Sequence, residues 1–64
     1  MNLLELIFQR RKARLEANGL LDKAALESRA LSISEQVQFD SLLARIQDLD
    51  ARIAQREELS RMVN

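Results

Sequence analysis

Apolar residues in the second half of the chain recur at alternating intervals of three and four. The members of this seam are Phe39, Leu42, Ile46, Leu49 and Ile53. Such spacing draws one apolar stripe along an α-helix and is typical of a helix that packs against another helix. The next two positions of the repeat are Arg56 and Ser60, so the seam is too short for a long coiled coil and favours a short hairpin or bundle.

A capping signal at the start of this region predicts a helix over about residues 33–62. Ser32 stands three residues before Glu35. The Ser32 hydroxyl can accept from the Glu35 amide while the Glu35 carboxylate accepts from the Ser32 amide, the reciprocal arrangement of a capping box. We therefore predict Ser32 and Glu35 as the cap of the second helix.

The first half predicts another helix, over about residues 3–29. Asn2 can cap it, with Glu5 three residues later, and good helix formers follow. Asn18 and Gly19 form a fair stop signal because both tolerate a left-handed helix end. An internal Gly costs only about 1 kcal/mol against Ala, so whether the helix kinks at Gly19 stays open.

This first helix carries two apolar faces, rotated from each other by more than a quarter turn. One face holds Leu4, Ile7, Phe8 and Leu15. The other holds Ala13, Ala17, Leu20, Leu21, Ala24 and Leu31. The seam of the second helix can cover only one of them, so we expect further packing or oligomer contacts. The residues assigned to packing here are Leu4, Phe8, Leu15, Leu20, Leu21 and Ala24.

The predicted fold is a single all-α domain over residues 1–64: an antiparallel two-helix hairpin that self-associates into a helical bundle or short coiled coil. Residues 1–30 hold six basic and four acidic side chains and residues 31–64 hold four and six, so opposite charge favours the pairing weakly. A domain of 64 residues usually needs stabilisation beyond its own core. This chain has no Cys or His, which excludes disulfides and the usual zinc ligands, so oligomerisation is the remaining source of that stabilisation.

Candidate chemistry is sparse. No catalytic, cofactor or metal site is expected, since no nucleophile–base pair or phosphate-binding loop is visible and the carboxylates are scattered. A basic cluster, formed by Arg10, Arg11, Lys12 and Arg14, is a candidate contact face for phosphates, although a solvated helix face is the favoured interpretation. Zero net charge, the lack of a long apolar run and an apolar-then-basic N-terminus predict a cytoplasmic, non-membrane protein.

Two stretches resemble the N-terminal delta, or scaffolding, domain of tailed-phage major capsid proteins. One is MNLLEL, followed by RRKARLE and LLDKA; the other is LSISEQVQFDSLLARIQDLDARI. The resemblance covers about residues 1–58. It implies an assembly role inside the immature shell, in which helix–helix contacts guide capsomer formation and a phage protease commonly removes the domain. Carried onto this chain, Ser32 and Glu35 match the turn and cap, and Phe39 to Ile53 match the packing seam.

The chain departs from that family in two respects. Many members have Gly at the hairpin turn, where this chain has Ser28, Arg29 and Ala30, and no capsid domain follows Asn64. Three interpretations are therefore open: an excised domain, a separate scaffold, or a relative that interferes with assembly. The expected partners are copies of itself, a phage major capsid protein and its protease. The alternative is a small dimeric regulatory protein that uses the basic face of the first helix on nucleic acid or another protein.

Overall fold

Two helices form the fold of this chain. The computed structural model describes residues 2–63, which contain α1 (Leu3–Leu26) and α2 (Ile33–Val63) packed against each other. Contacts near the turn join residues close in sequence, whereas Arg10 meets Asp50, so the helices run antiparallel. The predicted all-helical hairpin is confirmed. No helix in the described range is long and apolar enough to cross a lipid bilayer.

The first helix starts where the sequence predicts and ends earlier. Asn2 caps it, since the Asn2 side chain accepts from the Glu5 amide at 2.8 Å. The helix continues without interruption through Gly19 and stops at Leu26, three residues before the predicted end. The stop is a Schellman motif. The Arg29 amide donates to the Ala24 carbonyl at 3.0 Å, and Ser28 adopts a left-handed backbone with φ 51°.

The second helix begins with reciprocal hydrogen bonds between Ser32 and Glu35. The Glu35 amide donates to the Ser32 hydroxyl at 3.2 Å, and the Ser32 amide donates to the Glu35 carboxylate at 3.0 Å. These bonds satisfy donors that the first turn of a helix leaves unpaired. The helix extends to Val63, within a residue of its predicted end.

A narrow seam between the helices forms the core. Its buried cluster consists of Leu6, Leu49 and Ile53, with Leu3 packed against it. The partly or fully buried residues of α1 that follow the three-four spacing are Leu3, Leu6, Arg10, Ala13, Ala17, Leu20 and Ala24. Most of the buried positions on α1 are alanines, so the hairpin buries few large side chains and gains little apolar stabilisation from each contact.

The helices differ in length, which leaves one end of α2 without a partner helix. α2 has 31 residues and α1 has 24. The described side chains that follow Ile53 are all exposed, including Leu59 and Met62. With a rise of about 1.5 Å per residue, the last two turns of α2 extend past the start of α1. This gives the molecule its elongated shape, 51 × 16 × 14 Å.

Candidate helix-packing surfaces

The seam of α2 faces α1 along its whole predicted length. Leu49 and Ile53 are buried, whereas Phe39, Leu42 and Ile46 are partly exposed. The difference follows from what each residue meets. Leu49 and Ile53 pack on Leu6, whereas Phe39 and Ile46 border a groove beside the small Ala17. One flank of this region is a shallow groove lined by Arg14, Ala17, Asn18, Leu21, Phe39, Leu43 and Ile46.

The packing residues assigned to α1 separate into two groups. Ala24 is buried and Leu20 is half-buried in the seam, so α2 covers the alanine-rich face. The exposed group comprises Leu4, Phe8, Leu15 and Leu21, which are 78%, 68%, 64% and 44% exposed. The hairpin therefore covers one of the two apolar faces and leaves the other in solvent.

We call the uncovered face of α1 the outer stripe. Its apolar members are Leu4, Phe8, Leu15 and Leu26, and the exposed Arg11 and Asp22 lie on the same face of the helix. At about 100° per residue, this stripe lies roughly opposite the seam position of Ala13. None of its members lies in the buried core of the described chain. A row of large exposed apolar side chains along one helix face is typical of a surface that binds another protein.

Sequence reasoning missed the inward role of Leu6. Leu6 is 3% exposed and lies at the centre of the buried cluster. The sequence pattern that predicts this role is a repeat of inward positions at intervals of three and four, which starts at Leu3 and runs to Ala24. The repeat is hard to see because Arg10 occupies one position and small alanines occupy three others.

The basic cluster divides between two environments. Arg10 lies on the seam, where its Nη1 atom donates to Asp50 Oδ1 at 2.8 Å and its side chain is 26% exposed. Arg14 Nη2 lies 3.7 Å from the same oxygen. Arg11 and Lys12 are exposed and form no ion pair within residues 2–63. Because neighbouring helix positions are about 100° apart, the four cations do not share one face.

The turn is held by Arg29, which contacts the end of α1 and the start of α2. Arg29 Nη2 lies 2.6 Å from Glu27 Oε2, and Arg29 Nη1 lies 2.6 Å from Glu35 Oε1. The hydrogen bond from Arg29, followed by that from the Ser32 amide, lowers the pKa of Glu35 to about 2. The two carboxylates likewise raise the pKa of Arg29. These bonds fix the direction in which the chain enters α2.

The carboxylates do not converge on a common centre. Asp48 accepts from Arg52 at 3.0 Å, whereas Asp50 turns to the seam and accepts from Arg10. In the described part of the chain, no group of three or more Asp, Glu, His or Cys residues could hold a metal ion.

Comparison of the chain with models of protein families, with curated proteins and with solved structures found no match. The hairpin itself exposes several apolar surfaces. Two of these surfaces are distinctive: the outer stripe on α1 and the extended end of α2 with Leu59 and Met62.

Proposed function

We propose that this chain is a non-enzymatic assembly module that brings protein subunits together through helix–helix contacts, in the manner of the capsid delta domain that it resembles. The observation that carries the proposal is the outer stripe. Leu4, Phe8 and Leu15 stay exposed after the hairpin has formed, on the helix face that points away from α2.

The energetics of the hairpin support this role. Its buried core has three large side chains, Leu6, Leu49 and Ile53, supplemented by alanines. A domain of this size is marginally stable on its own. Each Leu or Phe that becomes fully buried adds about 1.5–3 kcal/mol, so covering the outer stripe with a second helical surface stabilises both partners. Folding and assembly are then linked.

The specific partner in this proposal is the major capsid protein of a tailed phage or prophage. The module acts inside the immature shell within the host cell, and the shell protease is a further partner. The same surfaces serve an excised domain, a separate scaffold or an interfering relative, because in each case the contact made is helix on helix. These three forms differ in whether this protein, added to an assembly reaction, promotes or blocks formation of the shell.

The alternative function, nucleic-acid binding through the basic face of α1, is less well supported. Arg10 and Arg14 are both directed to Asp50, which leaves Arg11 and Lys12 as the cations of the cluster that form no ion pair within residues 2–63. Phosphate binding by basic side chains weakens steeply as salt rises. An apolar assembly contact holds, or strengthens when sulfate is the added salt. A salt titration of the complex therefore separates the two functions.

The test is a pull-down of the major capsid protein of the same phage or prophage with the tagged chain, at low and high salt. We expect retention at both salt concentrations and its loss in Leu15→Ser, with helical circular dichroism unchanged because Leu15 is 64% exposed. Val37→Ser is the matched control, since Val37 is also 64% exposed but lies on α2, outside both the outer stripe and the extended end of that helix. Absence of retention, or equal retention of the two variants, contradicts the proposal.

A further inference from the structure

Charged residues of alternating sign follow one edge of the outer stripe. In chain order they are Glu5, Lys12, Glu16 and Lys23. At about 100° per residue, all four lie on the same side of the stripe, between its centre and the seam with α2. All four are exposed, and none forms an ion pair within residues 2–63. The hairpin thus presents an outer stripe flanked by four charges that have no ion-pair partner within residues 2–63.

The order of these charges has a symmetry that suggests what covers the stripe. Glu5 and Lys23 are each nine positions from residue 14, and Lys12 and Glu16 are each two positions from it. Reversal of the helix about residue 14 therefore places every acid on a base. Leu15 lies next to this centre, and Leu4 and Leu26 lie near the two ends of the stripe.

We infer that the outer stripe of α1 docks on the outer stripe of a second copy of this chain, with the two α1 helices antiparallel and a two-fold axis near Leu15. Glu5 then faces the partner's Lys23, and Lys12 faces the partner's Glu16. Each of these contacts occurs twice by symmetry. Leu4 packs near Leu26 of the partner subunit, and the two α2 helices lie on the outside of a four-helix arrangement.

The charges select the antiparallel orientation over the parallel one. When two antiparallel helices are related by a two-fold axis, the same edge of each stripe meets across the contact. In a parallel pair, this charged edge meets the other edge, where Arg11, Arg14 and Asp22 lie beside Ile7 and Asn18. The parallel pair therefore sets Lys23 near an acid but Lys12 near the like-charged Arg11, whereas the antiparallel pair matches all four edge charges with opposite ones.

Affinity in this dimer comes from the apolar stripe, and the ion pairs set its orientation. Exposed ion pairs contribute about 0.2–1 kcal/mol each and are screened by salt. Charge complementarity across an interface mainly favours the correct geometry and disfavours wrong ones. The contact follows a single helix about 36 Å long, which is small for a specific interface. We therefore expect dimerisation that depends on concentration.

The inference rests on the proposed assembly function, because it specifies one partner of the outer stripe. Its test uses cysteine crosslinking, for which the chain is well suited since it contains no Cys. The single variants are Leu15→Cys, Leu4→Cys and Leu26→Cys, oxidised in a glutathione buffer. Gln47→Cys, at an exposed site on α2, measures random collision. A disulfide forms only when the two Cα atoms come within about 7 Å.

We expect Leu15→Cys to form a disulfide-linked dimer faster than Gln47→Cys does. Leu4→Cys should not crosslink to itself, because two copies of that position lie roughly 30 Å apart in the antiparallel dimer. Mixed with Leu26→Cys, it should form the heterodimer. Rapid self-crosslinking of Leu4→Cys indicates a parallel pair and overturns the inference. The inference is also overturned if none of these variants forms a disulfide faster than Gln47→Cys does.

Charge reversal tests the proposed ion pairs separately. Lys12→Glu places two acids opposite each other at two symmetric positions, and we expect the dissociation constant of the dimer to rise about five- to tenfold. Adding Glu16→Lys restores opposite charges and should restore the dissociation constant. A double variant that dimerises as weakly as Lys12→Glu overturns the assignment of the pairs.

Light scattering of the unmodified chain distinguishes failure of this inference from failure of the proposed function. A chain that associates without the predicted crosslinks excludes the α1 geometry and leaves the assembly role intact. A monomeric chain that still retains the capsid protein likewise excludes the α1 dimer and leaves the assembly role intact. The predicted crosslinks together with no retention of the capsid protein support the dimer and contradict the capsid assignment.

Discussion

Arg10 and Asp50 link the two helices from within the apolar seam, with Arg10 Nη1 2.8 Å from Asp50 Oδ1. Arg10 occupies a seam position of α1, and Asp50 directly follows the buried Leu49 on α2. A polar pair at such a position contributes less free energy than apolar packing, but it disfavours helices that slide by a turn. We regard this pair as the element that fixes the register of the hairpin.

Asp50→Ala should lower stability relative to Asp48→Ala. Both variants gain the same helix propensity from alanine, so the difference between them isolates the partner of each carboxylate. Asp50 bonds a half-buried arginine across the hairpin, while Asp48 bonds the exposed Arg52 within its own helix. We expect a difference of about 0.5–1 kcal/mol in the free energy of unfolding, measured by urea titration. Equal stability of the two variants contradicts the role of Arg10 and Asp50.

Leu49→Asp should abolish both the fold and the association of the chain. Leu49 is 5% exposed, and a buried charge without a partner is strongly unfavourable. The milder Leu49→Ala should cost about 2–5 kcal/mol, whereas Leu59→Ala, at a site 49% exposed on the same helix, should change stability by about 0.5 kcal/mol or less. Circular dichroism and light scattering provide the measurements. An unchanged spectrum and mass for Leu49→Asp speak against the seam.

Ser28→Gly should stabilise the hairpin by about 0.5–1 kcal/mol. Ser28 has φ 51°, a left-handed backbone that costs a residue with a Cβ about 1–2 kcal/mol and costs Gly little. Part of that gain is lost because Gly has more freedom in the unfolded chain. Ser41→Gly, in the interior of α2, should instead destabilise by about 0.5 kcal/mol. Thermal melts of the two variants should shift in opposite directions.

Gly19→Ala should raise stability by about 0.8–1 kcal/mol, the difference in helix propensity between the two residues. α1 is continuous through Gly19, its φ is not positive, and an added Cβ meets nothing within 4 Å. A denaturant midpoint that falls in Gly19→Ala indicates that the helix bends there in solution. Alanine introduced at Ser41 is a control for propensity alone and should have a smaller effect in the same direction.

Stability should decrease in acid as Glu35 is protonated. The pKa of Glu35 is about 2 in the hairpin, below the value of about 4.3 expected when the chain is unfolded. A lowered pKa stabilises the folded state above the unfolded value, and this contribution is lost as the pH falls from about 4.3 towards 2. Thermal melts of Glu35→Gln should depend less on pH in that window. A pH dependence in Glu35→Gln equal to that of the unmodified chain contradicts this role of Glu35.

Local rules predicted the parts of the fold that short stretches of sequence encode. The capping bonds of Ser32 and Glu35 involve residues three apart, and the three-four spacing of α2 needs only one helix to define a face. The end of α1 was harder to predict because it depends on Ser28 taking a backbone conformation that Gly usually takes. The helix propensities of the residues near Leu26 do not distinguish an end at Leu26 from an end at residue 29.

The sequence by itself determined two helices, their cap and the apolar stripe of α2, since these follow from periodicity and hydrogen bonding over a few residues. Only the tertiary structure decided which face of α1 that stripe covers. Both faces are apolar, and the choice depends on how the alanines of α1 fit the large side chains of α2 and on the pairing of Arg10 with Asp50. That choice leaves Leu4, Phe8 and Leu15 exposed, because one helix cannot cover two opposite faces of another.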